Sequence, residues 1–323
     1  MGIGSLVVSL APAVGPIYGG LIQESLDWHF LFIILVPFSI ITWVIGELSI
    51  RQSQPTQYIA FDIVGGILLM LFLTTTLILI VDLTANRSSL NFKVLLFVVA
   101  LFSGISFVLN EKNKTNKLLE IALFKNKQFI KLLGAFFLLQ YSSLSMSYLI
   151  PNVLEMLFKQ SPSLVGLLVL PAAVIDALLS VVAGIIYDKT TPNLPIISGC
   201  LIVLLTFLRA LLINPSVPSL VVLYMLFMVG LSLSYSNIMT FSLSQLPTNL
   251  VNDGNAIYMT AQSYSGAMGI AVSASIISFT QKLQKGVALG TKQGLELNFF
   301  ILFLIAVIIL ILYFVTLINT LRS

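Results

Sequence analysis

The stretch GIGSLVVSLAPAVGPIYGG, residues 2–20, is apolar and uncharged over the length of one helix, yet it is rich in glycine and contains two prolines. In a soluble helix these residues destabilise, because proline removes a backbone hydrogen bond and glycine costs about 1 kcal/mol relative to alanine. A membrane-spanning helix tolerates them, because neighbouring helices approach closely and satisfy the backbone groups. The stretch therefore predicts a closely packed membrane helix.

The composition extends this prediction to the whole chain. Of the 323 residues, 58% are hydrophobic and 9% are charged, and the mean hydropathy is +1.05. A soluble domain has about 25% charged residues, so this chain has too few charges to cover a surface in water. The single cysteine, Cys200, and the single histidine, His29, exclude an internal disulfide framework and a Cys- or His-rich metal site. The net charge of +4 is too small to suggest a nucleic-acid partner.

Ten apolar stretches are long enough to cross about 30 Å of hydrocarbon at about 1.5 Å per residue. They predict an all-α polytopic membrane protein with ten transmembrane helices in a lipid bilayer. The predicted spans are residues 2–22, 29–50, 59–81, 92–110, 129–150, 164–187, 194–213, 218–246, 255–280 and 297–319.

A basic connection between the fourth and fifth predicted spans indicates the orientation. Residues 110–131, NEKNKTNKLLEIALFKNKQFIK, contain six lysines, and their LLEIALF segment is suited to an amphipathic helix on the membrane surface. If this loop is cytoplasmic, nine basic residues of the loops and termini lie inside and six lie outside, in the direction of the positive-inside rule. We therefore predict that both termini are cytoplasmic. A second long connection, QKLQKGVALGTKQGLE, is predicted before the last span.

Asp176 is the ionisable residue that the sequence places deepest in a predicted span, near the middle of the sixth. Ionisable groups at this depth are costly and usually functional. One interpretation is a carboxylate that takes up and releases a proton, and the other is an aspartate that faces a water-filled cavity or bonds to a neighbouring helix. Arg209, near the outer end of the seventh span, is expected to snorkel to the interface rather than pair with Asp176. Asp62 is expected at a helix N-terminus, where a negative charge is favourable.

The fifth and eighth predicted spans are rich in polar residues. Serines in membrane helices often bond only their own backbone, but these two spans also contain tyrosines and amides. We predict that they line a substrate cavity. In the ninth span, small residues spaced four apart predict close packing against another helix instead. The cavity candidates are Gln140, Tyr141, Tyr148, Tyr235 and Asn237, and the small-residue stripe is Ala261, Ser265, Gly269 and Ser273.

The motifs of soluble enzymes are absent, with no phosphate-binding loop, no GxSxG and no HExxH in the sequence. Paired His, Asp or Glu residues at span ends, which are typical of membrane enzymes, are also lacking. We therefore expect no enzymatic activity and no ATP hydrolysis by this chain.

The first span resembles the antiporter signature of the major facilitator superfamily, which occurs in the fifth span of drug:proton antiporters. The matching residues are Gly2, Ala11, Gly15, Pro16, Gly19 and Gly20, with alanine at position 11 where the family has glycine. Residues 27–37 are similar to the entry into the sixth family span, with Leu35 in place of the usual asparagine and His29 near the usual arginine or tryptophan. Gly184, Asp188 and Lys189 resemble the second-half echo of the family's gating loop.

The resemblance implies a partial major facilitator fold that contains family spans five to fourteen of the fourteen-span branch. Residues 1–50 would form the last two helices of the N-terminal half, 51–110 the central extra pair, 111–131 the basic cytoplasmic loop and 132–323 the C-terminal half. Family spans one to four are missing. We therefore expect an N-terminally truncated transporter, or a chain that needs the missing half or a homo-oligomer as partner.

The resemblance also implies a multi-pass protein of the cell membrane that exports small amphipathic drugs in exchange for protons. The proton gradient would be the energy source, without a cofactor or metal, and Asp176 would be the candidate for proton coupling. The signature helix would favour exchange over leak. Three alternatives remain: export or import of another small metabolite by the same fold, a membrane enzyme or assembly factor, and an inactive remnant.

Overall fold

A computed structural model of the chain describes residues 15, 18–22, 24, 26–27, 29–49, 62–85, 88–112, 114, 117–284 and 286–322, with side chains as far as residue 317. The described residues form nine α-helices and two short 3-10 helices and contain no strand, which confirms the predicted all-α fold. Residues 15, 18–22 and 24 are also helical. The helices are α1 His29–Ser49, α2 Ile63–Ala85, α3 Leu90–Lys112, α4 Lys127–Met156, α5 Pro162–Lys189, α6 Asn193–Leu212, α7 Val217–Ser244, α8 Val251–Leu283 and α9 Val287–Arg322.

Eight of these helices are long and apolar enough to cross a membrane, which confirms a multi-pass protein over the described residues. The exception is α8, which has 33 residues but many serines and glycines in place of large apolar side chains. It lies against α2, α4 and α9, so its polar residues contact other helices. Most of the first predicted span, residues 2–22, lies outside the described residues.

The turn between α8 and α9 is tighter than predicted. Helix α9 begins at Val287 rather than at residue 297, so the segment QKLQKGVALGTKQGLE is largely helical. Thr280 Oγ1 donates to the Gly290 carbonyl at 2.8 Å, and Gln281 Nε2 donates to Thr291 Oγ1 at 2.8 Å. Gln281, Gly290 and Thr291 lie in the segment that the sequence predicts as a connection, and they form hydrogen bonds across the tight turn instead.

The basic connection between α3 and α4 also differs from the prediction. Only the last four residues of the LLEIALF segment are helical, and they belong to the five-residue 3-10 helix Ile121–Lys125 rather than to an amphipathic surface helix. Helix α4 begins at Lys127, inside the segment 111–131 that the sequence predicts as a loop. Asn126 explains this start, because its side chain accepts hydrogen bonds from the N–H groups of Gln128 and Phe129.

Helices α4 to α9 share one apolar core. Helix α4 packs on α7, α8 and α9, and α7 also packs on α5 and α6. Gly199 of α6 and Gly230 of α7 bring two backbones into contact at their crossing. A Cβ at Gly199 would lie 2.6 Å from the Gly230 carbonyl oxygen, and one at Gly230 would lie 2.7 Å from that of Gly199. Only glycine at both positions allows this approach.

The small-residue stripe of α8 packs against α4, as predicted from its spacing. A Cβ at Gly269 would collide with the Tyr141 carbonyl oxygen, so the two helices touch there. Ser145 Oγ donates to the Gly269 carbonyl at 3.0 Å, and Ser273 Oγ donates to Ser145 Oγ at 3.1 Å. Ser265 is also buried, whereas Ala261 is half-buried and lines a cavity.

The helix pair α2–α3 forms a separate layer on the outside of α8. Phe72 of α2 packs over Gly104 of α3, where a Cβ would lie 3.0 Å from the ring. Thr76 Oγ1 and the Tyr264 hydroxyl form a 2.6 Å hydrogen bond that joins α2 to α8. Helix α1 buries none of its residues.

Candidate functional site

The signature segment contacts the start of α5 through Gly20. The Pro162 carbonyl oxygen occupies the space that a Cβ at Gly20 would need, and Ser163 Oγ donates to the Gly20 carbonyl at 3.4 Å. Gly15 and Gly19 have no described neighbour within 4 Å of the Cβ position. Gly2, Ala11 and Pro16, the other predicted signature residues, lie outside the described part of the chain.

Asp176 lies in the middle of α5 and is half-buried. Its neighbours on the helix, Ala173 and Ala177, are small and buried. Among the residues that the structure describes, the Asp176 carboxylate has neither a hydrogen bond nor an ion pair. Arg209 is exposed in the last turn of α6 and does not pair with it, as expected for an arginine at the interface.

Two hydroxyls lie on the helices beside Asp176. The Tyr224 hydroxyl of α7 is within electrostatic range of the carboxylate, and it shares a 3.2 Å hydrogen bond with Ser147 Oγ of α4. Three helices thus place a carboxylate and two hydroxyls near one another inside the bundle. The sequence alone does not indicate a role for Tyr224, because one tyrosine in an apolar stretch gives no signal until the helices are packed.

The predicted cavity residues fall into two groups. Gln140 and Tyr148 are half-buried on α4, and Gln140 Nε2 lies 3.5 Å from the Cβ position of Gly266 on α8. Tyr141 and Asn237 are buried. The Asn237 amide donates to the Leu233 carbonyl at 2.9 Å on α7 and to the Ala183 carbonyl at 3.4 Å on α5, so it joins two helices.

Tyr235, the fifth cavity candidate, belongs to an aromatic cluster formed by α4, α7 and α8. Its ring stacks on Phe136 at 4.4 Å, and Phe136 also meets Tyr258 edge-on at 4.8 Å. The hydroxyls of both tyrosines are buried without a hydrogen-bond partner among the described residues. This cluster therefore contains unused hydrogen-bonding groups. Each buried hydroxyl without a partner costs about 1–3 kcal/mol.

The predicted echo of the gating loop forms the end of α5. Asp188 and Lys189 are both exposed, and Gly184 one turn earlier has no described atom within 4 Å of its Cβ position. Within the described part of the chain the two charged side chains form no ion pair. Their gating role stays a prediction.

Asp62 precedes α2, and its side chain accepts a 2.9 Å hydrogen bond from the Gly65 N–H, as expected for a helix N-terminus. It also binds one side chain in the last turn of α3 and one just after that helix: the Asn110 amide donates to Asp62 Oδ2 at 2.8 Å, and the Lys114 ammonium donates to Oδ1. The side chain is only 4% exposed. The Gly65 N–H, with help from Lys114 and Asn110, lowers the pKa of Asp62 from 3.8 to about 2.

We expect Asp62→Asn to lower the stability of the folded protein near neutral pH and to have little effect near pH 2. Because the folded pKa is about 2 and the ordinary value is 3.8, the charged carboxylate stabilises fully above pH 3.8. That contribution is lost as the pH falls towards 2. The unfolding temperatures of wild type and variant should therefore differ by a constant amount above about pH 5 and converge between about pH 4 and 2. A difference that does not depend on pH would contradict this assignment. Glu47→Gln, which changes an exposed carboxylate on α1, is the control.

Comparisons with known proteins match most of the chain. Residues 1–270 match the family model described as Major Facilitator Superfamily. Relatives include the lincomycin resistance protein LmrB of Listeria monocytogenes, 32% identical over 295 residues, and that of Listeria innocua, 31% identical over 293. Both alignments cover 90% of this chain and 62% of the relative. The riboflavin transporter RibZ of Clostridioides difficile is 27% identical, with 88% and 61% covered.

The chain therefore spans about three fifths of the length of the relatives it matches. The family match nevertheless extends over well more than half of this chain and agrees with the packed membrane helices of the structure. This chain belongs to the Major Facilitator Superfamily.

Proposed function

We propose that the chain is part of a proton-coupled exporter of amphipathic drugs, and that Asp176 couples proton movement to transport. The observation behind this proposal is the half-buried Asp176 carboxylate in the middle of a membrane helix, without a partner among the described residues. The names of the LmrB relatives support the substrate class, and the family supports the transporter fold.

The chemistry of one carboxylate explains exchange. In a site of low dielectric constant, an isolated charge is unfavourable, so Asp176 favours either a bound proton or a bound cation. The two ligands then compete for one group, and binding of each weakens binding of the other. A proton that enters from outside would displace a cationic drug from Asp176. A drug that enters from inside would then displace the proton. The Ser147–Tyr224 pair beside Asp176 can supply hydrogen bonds to polar atoms of the substrate.

The contact between Gly20 and Pro162 supports a rocking mechanism. It joins the signature segment to the start of α5, which belong to opposite predicted halves of the transporter. In the predicted orientation this contact lies on the outer side of the membrane. Two halves that touch there would close the proposed transport site to the outside. Opening the site to the outside would have to separate Gly20 from α5.

Export of another small metabolite is the second candidate, because RibZ, a riboflavin transporter by name, is also similar to the chain. An inactive chain is the third candidate, and resistance and riboflavin-efflux measurements distinguish it from the other two.

The proposed function predicts drug resistance when a complete first half is supplied. We expect residues 1–323, fused to the N-terminal segment of Listeria monocytogenes LmrB that corresponds to the predicted family spans one to four, to raise the inhibitory concentrations of lincomycin and ethidium in a strain without efflux pumps. The same strain expressing that N-terminal segment alone is the control. If the chimera is inserted in the membrane but does not raise the inhibitory concentrations, drug export is rejected. Riboflavin efflux by the chimera would favour the metabolite exporter. Resistance from residues 1–323 alone would show that this chain suffices, either by itself or as a homo-oligomer.

A further inference from the structure

An apolar cavity of about 850 Å³ separates the α2–α3 pair from the C-terminal helices. Phe72 and Ala100 line its outer wall, and Phe137, Ala261 and Tyr264 line its inner wall on α4 and α8. The 3-10 helix Ile121–Lys125 borders one end. Its volume lies within the range of about 300–1,000 Å³ that is typical of small-molecule sites.

This cavity is distinct from the transport site. Asp176, Tyr224 and the polar candidates Gln140 and Tyr148 do not line it. Its wall is almost wholly apolar, whereas the transport site contains a carboxylate and hydroxyls. The cavity therefore suits a different, largely apolar class of ligand.

The cavity is open to the lipid. Leu101, Ile105 and Leu109 of α3 line it and are themselves more than half exposed. Because α3 is long and apolar enough to span the membrane, these exposed side chains would face hydrocarbon. A ligand can thus enter sideways from the bilayer, and an apolar chain matches the wall.

Lys112 marks the end of the cavity where a charged group would lie. It is the charged residue of the lining, and it occupies the last turn of α3. Its neighbours in the basic loop are engaged elsewhere, since Lys114 pairs with Asp62 and Lys117 with Glu120. Lys112 is exposed and forms no ion pair with any described residue.

We infer that the cavity binds an anionic phospholipid, with its acyl chains between α2–α3 and α8 and its phosphate against the Lys112 ammonium. The predicted orientation places Lys112 at the cytoplasmic surface, where anionic headgroups attract basic residues. The lipid would fill the space between the outer helix pair and the bundle, which meet directly at the Thr76–Tyr264 hydrogen bond.

Native mass spectrometry of residues 1–323 with phosphatidylglycerol and phosphatidylcholine of identical chains tests the inference. We expect wild type to retain phosphatidylglycerol preferentially. Lys112→Gln should weaken phosphatidylglycerol binding about fivefold, the effect of one lysine near a membrane surface, and leave phosphatidylcholine binding unchanged. Equal retention of both lipids, or no effect of Lys112→Gln, would overturn the inference.

Filling the cavity gives a second test that does not depend on charge. Ala261→Trp places an indole in the cavity and should abolish retention of phosphatidylglycerol. Ala267→Trp is the matched control, because Ala267 is exposed on the same helix and does not line the cavity. Retention by Ala261→Trp equal to that of Ala267→Trp would reject this site. If ethidium displaces the lipid and Lys112→Gln has no effect, the cavity binds a drug, and the inference of a lipid site is rejected.

Discussion

Asp176→Asn should reduce drug-driven proton movement to the level of vesicles without transporter. The amide has nearly the volume of the carboxylate, so the packing of α5 against α7 should be preserved. It stays uncharged, however, and can neither accept a proton nor attract a cation. If proton and drug compete for this group, its removal abolishes the exchange of the two. The measurement is ethidium-driven proton flux, followed with a pH-sensitive dye in vesicles that contain the LmrB chimera.

Glu155→Gln provides a matched control for this experiment. Glu155 is a half-buried carboxylate towards the end of α4, so the substitution removes the same charge at another position. We expect its flux to remain near that of wild type. Asp176→Glu should retain part of the flux, because it keeps a titratable group. Unchanged flux in Asp176→Asn, at equal expression, would remove Asp176 from the mechanism.

The position of Asp176 within a membrane helix could be predicted from the sequence, but its surroundings could not. A single carboxylate among apolar residues is visible as a costly group at a known depth. Its neighbours Ser147 and Tyr224 lie on helices that are distant in sequence, and their hydroxyls are ordinary members of those spans until packing brings them together. For the same reason the sequence does not predict the aromatic cluster around Tyr235, since Phe136 and Tyr258 give the apolar signal of any membrane helix.

Composition and residue spacing predict those parts of the fold that depend on residues close together in the sequence. Apolar length predicted the membrane helices, and the four-residue spacing of small residues predicted the contact of α8 with α4 at Gly269. Polar connections were less predictable. Polarity alone does not show whether Thr280 and Gln281 face water or bond residues across a tight turn. Asp62 was expected at a helix start, but its ion pair with Lys114 depends on the pairing of α2 with α3.

Gly199→Val should lower the free energy of unfolding by about 3 kcal/mol, at the upper end of the usual cost of overpacking. A Cβ at this position lies 2.6 Å from the Gly230 carbonyl oxygen and 2.9 Å from the Cβ atoms of Leu233 and Ser234. These atoms belong to the backbone or to the base of a side chain, so no rotamer change can relieve the overlap. The α6 and α7 helices must move apart, and they would lose buried contacts along their crossing.

Gly184→Ala is the control, because no described atom lies within 4 Å of its Cβ position. The experiment measures stability and not transport. We expect its unfolding midpoint in mixed detergent micelles to match that of wild type or to rise slightly, since alanine favours a helix more than glycine does. Gly199→Ala should fall between Gly199→Val and wild type, because alanine introduces the overlapping Cβ without the two methyl groups. Equal midpoints for Gly199→Val and Gly184→Ala would mean that α6 and α7 do not approach at Gly199, and the close crossing at the centre of the C-terminal bundle would then be wrong.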